Sequence, residues 1–312
     1  MRIGIYRFTI KFTSPALLPS FKGSTLRGGL GHSLKRVSCA LRRQECHNCM
    51  LRNSCAYARI FEPKPYNARE DSKPRIAHRP LPYVIEPPLD STRHYDTGAH
   101  LEFRIILFGN LLEYIPYLVF AVQEMGKSGL GKKQQTPGLF ELKRVHHDDT
   151  IIYEDKRLSA VKEHHELVLD HPPAATIHHL TIQFPIPFRV KHVNKLQSEL
   201  PFHVLMRAAV RRYTSLEHAY GDTPAELDFR AIINRAESVA TECTDCRWQD
   251  IERYSNRQQQ SMYFGGICGT TTYRGDDLAE FIPLLKYCET THVGKQTAFG
   301  LGMIRVSLGE SS

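Results

Sequence analysis

Residues 294–302 read GKQTAFGLG, and residues 126–133 read GKSGLGKK. Each stretch follows a helical pattern and runs into a strand pattern. Gly129-Leu130-Gly131 recurs as Gly300-Leu301-Gly302 about 171 positions on, and self-similarity at a fixed offset marks a duplicated unit. Working outward, residues 2–12 alternate as a strand, with Tyr6, Phe8, Ile10 and Phe12 on one face and Arg7, Thr9 and Lys11 on the other. A helix is expected near 25–38 on an apolar stripe of Leu26, Leu30, Leu34 and Val37, with Ser24 or Thr25 as its cap. Strands follow near 80–86 and 99–108. A helical pattern then runs from Leu111 to Val122, with Pro116 marking a kink or a delayed start, and a strand follows at 138–145. The second half repeats the order. It has a strand around Leu180 to Ile186, a long helical stripe from Phe202 to Leu216, strands near 247–254 and 262–273, a helix over 278–288 and a last strand at 302–308. Strand, helix, strand, strand, helix, strand is the ferredoxin-like order, whose four-stranded sheet is also the RRM platform. The fold class is therefore α+β, with tandem ferredoxin-like (RRM-like) domains. The first spans 1–148 with a cysteine-block insertion at 39–55, a connector or hairpin fills 149–172, and the second spans 173–312, starting at the Pro-rich His171-Pro172-Pro173.

Both glycine loops lie between a helix and a strand. A nucleotide-binding loop lies between a strand and a helix, so Gly126-Lys127-Ser128 is not read as a Walker-type site. Glycines let a backbone come close to a phosphate or to another stretch of chain. Lys127, Lys132, Lys133 and Lys295 add charge, so with Gly294, Gly300 and Gly302 they are candidates for a clamp on an RNA backbone. The chain has 312 residues and 41 Lys+Arg against 33 Asp+Glu, a net charge of +8 that suits a polyanionic partner. Arg207, Arg211 and Arg212 interrupt the long helical stripe, and Trp248, Arg253, Tyr254, Arg257 and Gln258 interleave aromatic and basic residues. Stacking plus charge is what unpaired RNA requires. The apolar runs are too short to cross a bilayer and the first residues carry no extended apolar region, so a cytoplasmic protein with no membrane partner is expected.

Cys39, Cys46, Cys49 and Cys55 form C-x6-C-x2-C-x5-C, a spacing able to close a tetrahedral site for zinc or to hold an iron–sulfur cluster. In a cytosolic chain, clustered cysteines point to metal rather than to disulfides. The metal would be structural. His47 lies inside the block, and Cys243 and Cys246 form a second C-x2-C.

HVGKQTAFGLGMIRV (292–306) looks like the glycine-rich signature that closes RAMP proteins of CRISPR systems. GSTLRGGLGHSLKRVSC (23–39), CAYARIFEP (55–63), PYVIEPP (82–88) and WQDIERYSNRQ (248–258) resemble one branch of them. That branch is the long-chain, cysteine-block group of the pre-crRNA (repeat-RNA) processing endoribonucleases, the sixth CRISPR-associated protein family. The resemblance implies CRISPR repeat RNA as substrate, other CRISPR-associated proteins as partners, and a monomer or homodimer. It also implies metal-independent cleavage with no catalytic cofactor, in which a ribose 2′-OH attacks the adjacent phosphate and leaves 2′,3′-cyclic phosphate and 5′-OH ends. Such chemistry needs a base, an acid and positive charge at the phosphate. Family members place a histidine in or near the first helix, and His32 takes that place here. Lys35 and Arg36, three and four residues on, share its face, and a histidine beside cations can exchange protons near neutral pH. Tyr57 is a further candidate, since some relatives use a tyrosine. Two other readings stay open: a non-catalytic RAMP subunit holding crRNA in an effector complex, and a metal-dependent enzyme built on the cysteines.

Overall fold

The alternation of residues 2–12 becomes β1 (Arg2–Phe12), with Tyr6, Phe8, Ile10 and Phe12 buried and Arg7 exposed. A computed structural model of the chain describes residues 1–42, 44–64, 79–131, 136–161, 163–192, 195–196, 199–222, 227–255 and 260–309. These fall into two units, Met1–Glu166 with Ala219–Gly221, and Leu167–His218 with Asp222–Ser312. Among the described residues no helix is long and apolar enough to cross a membrane.

In the first unit β1 is followed by α1 (Gly23–Ser38), α2 (Ala56–Phe61), β2 (Tyr83–Glu86), β3 (His100–Phe108), α3 (Ile115–Ser128), β4 (Phe140–His147) and β5 (Thr150–Glu154). The sheet runs β2-β3-β1-β4-β5, all neighbours antiparallel. Its first four members have the ferredoxin-like order, with β1 central and Phe8 stacked on Phe103 at 5.2 Å. The segment 149–172 carries β5, then Arg157–Leu158 paired to β5, then His165–Glu166 paired to Arg2 and Ile3 of β1. Two local expectations change. α1 starts at Gly23 with Lys22 at its N-cap and no side-chain cap, so neither Ser24 nor Thr25 serves. Lys22 is buried instead, its ammonium donating to Ser20 O at 3.2 Å and Asp90 O at 3.0 Å, which fixes the helix start two residues early. Pro116 sits in the first turn of α3, where its missing N–H costs nothing, so it marks a delayed start after the 3-10 turn Gly109–Tyr114.

The second unit repeats the plan with β6 (His179–Phe188), α4 (Phe202–Tyr220), α5 (Phe229–Ala236), β7 (Ala240–Ser255), β8 (Gln260–Arg274), α6 (Ile282–Thr291) and β9 (Arg305–Leu308). Its sheet order, β7-β8-β6-β9, is again second, third, first and fourth strand of the motif. The core packs Phe202 against Tyr273 at 4.9 Å and Phe281 at 5.0 Å, and the buried Tyr273 hydroxyl donates to Leu200 O at 2.8 Å. The fold is therefore tandem ferredoxin-like. Two short helices, α2 and α5, are additional to the expected elements, although Phe229, Ile232, Ile233 and Ala236 of α5 keep a helical spacing behind the N-cap Asp228.

Candidate functional site

α1 is rich in glycine, and Gly28, Gly29 and Gly31 differ in their surroundings. A Cβ on Gly29 would lie 2.6 Å from Met125 Sδ of α3, and one on Gly31 would lie 2.7 Å from the Phe61 ring of α2. These two glycines let the neighbouring helices approach closely. Gly28 has nothing within 4 Å and is exposed. His32 is one turn further along the same face, also exposed, with no hydrogen bond or ion pair among the described residues. The helix therefore presents an imidazole beside a bare patch of backbone.

The other catalytic candidates flank that patch. Lys35 leans toward α2, its ammonium 5.3 Å from the centroid of the Tyr57 ring. Arg36 turns toward α3 and donates to Glu124 O at 2.9 Å and Glu124 Oε2 at 3.1 Å. Glu124 is also paired with Lys127, whose hydrogen bond, with help from Arg36, holds the carboxyl below its ordinary range. Tyr57 stacks on Phe61 at 5.6 Å and donates to Glu62 Oε1 at 3.3 Å. Burial first, then Glu62, pushes its hydroxyl well above the ordinary phenol value, so Tyr57 can donate a proton bond at neutral pH but not act as a base. The structure brings Lys35 and Tyr57 together and directs Arg36 elsewhere.

The two glycine loops share one backbone device. Leu130 and Leu301 are buried plugs, and the glycines on either side take positive φ: 76° and 91° at Gly129 and Gly131, 87° and 73° at Gly300 and Gly302. A Cβ would fall 1.9 Å from Pro137 O at Gly129 and 1.9 Å from Val293 O at Gly302, and 2.6 Å from Arg189 O at Gly294. These close approaches are to the chain itself. Charge is carried at the rims by the exposed Lys127 and Lys295, the latter with its backbone N–H donating to Arg189 O at 2.7 Å. Lys132 and Lys133 lie outside the described residues, as do Arg257 and Gln258.

On α4, Arg207 and Arg211 are exposed one turn apart, Arg207 at 4.0 Å from Glu237. Arg212 is buried and not a surface cation. Its Nε donates to Thr291 O at 3.2 Å and His292 O at 3.1 Å, and its Nη2 to Thr291 O at 2.6 Å, closing the end of α6. β7 and β8 pair in unbroken register from Cys243 to Ser255, so Trp248 and Arg253 point to opposite faces. Trp248 shares its face with Asp250, which accepts from the indole Nε1 at 3.0 Å. Arg253 lies over Phe264 at 4.7 Å and Phe299 at 5.1 Å. The interleaved aromatic and basic cluster is thus divided by the pleat. Phe264, Phe299 and Arg189 carry contacts that the sequence pattern did not single out.

Cys39 ends α1, Cys46 opens a 3-10 turn that Cys49 closes, and Cys55 precedes α2. All four are free thiols. Burial, followed by Glu62, raises the Cys46 thiol above its ordinary value, with Cys39 and Cys55 adding to the rise. Among the described residues no three or more Cys, His, Asp or Glu side chains are arranged to hold a metal ion. The four thiols thus lie at the ends of helices and turns. Cys243 is exposed, whereas Cys246 is half-buried with its Sγ 3.2 Å from Thr271 Oγ1. Three residues apart on one strand, they face opposite sides.

Residues 181–304 match the family model for the CRISPR-associated endoribonuclease Cas6, and residues 1–166 match the AF_1859_N N-terminal domain model. An uncharacterized protein of Archaeoglobus fulgidus is 23% identical over 299 residues, covering 93% of this chain and 92% of that one. Cas6 of Thermus thermophilus superposes with a TM-score of 0.56 at 14% identity, over 98% of each chain. A chain of a partial Cas6-RT-Cas1–Cas2 complex superposes with a TM-score of 0.58 at 12% identity, over 99% of this chain and 46% of its own length. At these identities the structural likeness is one of fold.

Proposed function

The chain belongs to the family of the CRISPR-associated endoribonuclease Cas6, and on that premise we propose that it cleaves CRISPR repeat RNA into guides without using a metal ion. The attacking group is a ribose 2′-OH. Its oxygen bonds to the adjacent phosphorus as its proton passes to a base, and the bond to the 5′-oxygen breaks as that oxygen takes a proton from an acid. The products are a 2′,3′-cyclic phosphate and a 5′-OH. His32 carries one of the two proton transfers, as general acid or base. Lys35 faces the developing charge on the phosphate, whereas Arg36 is engaged with Glu124. The observation that supports this reading is the exposed His32 beside the unoccupied space over Gly28, with Lys35 at its flank.

The test is a cleavage gel with repeat RNA in EDTA. One cut with a cyclic phosphate end is expected, a 2′-deoxy group at that position blocks it, and His32→Ala slows it by about 10² to 10⁴. Cleavage of the deoxy RNA, or an undiminished rate in His32→Ala, would overturn the assigned chemistry. A second reading has an observation in its favour. Lys35, Arg36 and Tyr57 are all engaged by protein partners, which suits a RAMP subunit that binds crRNA and leaves it whole. Tight binding of repeat RNA with no cut would select it. Assembly with other CRISPR-associated proteins, a monomeric or homodimeric state, and a cytoplasmic location belong to the same proposal. A structural zinc or iron–sulfur cluster on Cys39, Cys46, Cys49 and Cys55 belongs to the same proposal, and metal analysis of the purified protein decides it. No step of the cleavage passes through that metal.

A further inference from the structure

The tip of the second glycine loop is held by two struts that both end on the β7–β8 hairpin. The first is a stack. Phe299 sits in the 3-10 turn Thr297–Phe299, between Gln296 and Gly300, both with positive φ. Its ring meets Phe264 of β8 edge-on at 5.2 Å, and the Arg253 guanidinium of β7 lies over both rings, at 4.7 Å from Phe264 and 5.1 Å from Phe299. A planar cation against two aromatic faces is attractive without any hydrogen bond. The second strut is Arg189, just after β6. Its backbone oxygen accepts from Lys295 N at 2.7 Å, and its guanidinium Nη1 donates to Gly265 O at 3.2 Å and Tyr263 O at 3.4 Å of β8. Three sequence-distant segments are thereby fixed around one exposed lysine. Phe264 is buried by this arrangement although it lies near the free end of the hairpin, beyond the four-stranded part of the sheet.

We propose that the glycine-rich loop and the long hairpin are one mechanically coupled RNA-holding element, in which Arg253 and Phe299 are positioning residues that set the place of Lys295 by stacking. The inference rests on the RNA reading above. It changes the part given to Arg253: its charge is used against aromatic rings inside the protein, and Lys295 meets the phosphate. Arg253→Lys keeps the charge but loses the planar stack, so it should behave like a loss of the residue. Phe299→Tyr keeps the stack.

The test has two arms. In the first, binding of labelled repeat RNA is measured across a salt series for Lys295→Ala, Phe299→Ala and the double variant. Each single change is expected to weaken binding about fivefold and to lower the salt slope by about one, as loss of one lysine–phosphate contact does. The double variant should be no worse than either, because Phe299 acts through Lys295. Phe299→Tyr should bind as the parent does. Additive losses, or a normal salt slope in Phe299→Ala, would sink the coupling. The second arm needs no RNA: amide hydrogen exchange at 293–302 should quicken in Phe264→Ala, a change on the hairpin alone. Unchanged exchange there rejects the coupling. If the parent protein binds no repeat RNA, the functional reading fails while the exchange arm still decides whether loop and hairpin move together.

Discussion

At the scale of the residue, α1 shows how one glycine can differ from its neighbour. Gly29 and Gly31 are filled in by Met125 and Phe61, so an added methyl must displace packed side chains. Gly28 meets nothing. Its helical position carries the entropic penalty of glycine with no packing return. Gly28→Ala is therefore expected to stabilise the first unit by about 0.5–1 kcal/mol, whereas Gly29→Ala and Gly31→Ala should each cost about 1–3 kcal/mol through overpacking. Urea unfolding curves of the three variants check the order. A bulky change, Gly28→Leu, should leave stability near that of the parent yet lower repeat-RNA cleavage, because it covers the backbone beside His32. Unimpaired cleavage in that variant would remove the patch from the site.

At the scale of the element, the end of β4 gathers histidines. The buried His147 packs on Tyr6 at 5.0 Å and lies 5.7 Å from His164 and 6.2 Å from His165, ring to ring. His165 and Asp148 form a 2.7 Å pair, and the strand His165–Glu166 docks on the start of β1. Burial lowers the pKa of His147, opposed by Asp148 and aided by His165. Burial and His147 lower that of His164, with Arg2 and His165 acting in the same direction and Glu113 against them. His147 and His164 thus bind a proton less readily in the fold than once unfolded. The unfolded state gains protons first as pH drops below about 6.5, so stability is complete above that value and is lost below it. The melting temperature of the protein should fall from pH 7.5 to 5.5, and His147→Phe should fall less. An equal fall in both would place the acid sensitivity elsewhere.

At the scale of the whole molecule, the excess of 41 Lys+Arg over 33 Asp+Glu sets the response to salt. Several basic groups are already spent on protein partners: Lys22 on Asp90, Arg36 and Lys127 on Glu124, and Arg212 on α6. Arg207, Arg211 and Lys295 remain exposed. Affinity for repeat RNA should fall about tenfold or more between about 50 and 200 mM salt, as displaced counterions require for a few phosphate contacts. Binding that is indifferent to salt would contradict an electrostatic grip. Arg212→Ala should not change that slope. It should lower the melting temperature, because it leaves the end of α6 with unsatisfied carbonyls.

The amino-acid order by itself determined the two sheets. An alternation such as Tyr6, Phe8, Ile10, Phe12 is read from neighbours in sequence, and the repeated Gly-Leu-Gly fixes two positive-φ turns because side chains are strained there. It also singled out His32, through the motif around it. What only the tertiary structure decided were the partners. Burial of Lys22 moved the start of α1, the end of α6 claimed Arg212, and strand pairing parted Trp248 from Arg253 and set Arg253 against Phe264 and Phe299. The spacing of Cys39, Cys46, Cys49 and Cys55 satisfied a metal knuckle, but helix ends and turns settled where each thiol sits. A period is a local property of the chain. A contact between residues about 35 or 80 positions apart depends on which elements pair, and on the pleat that chooses the face each side chain presents.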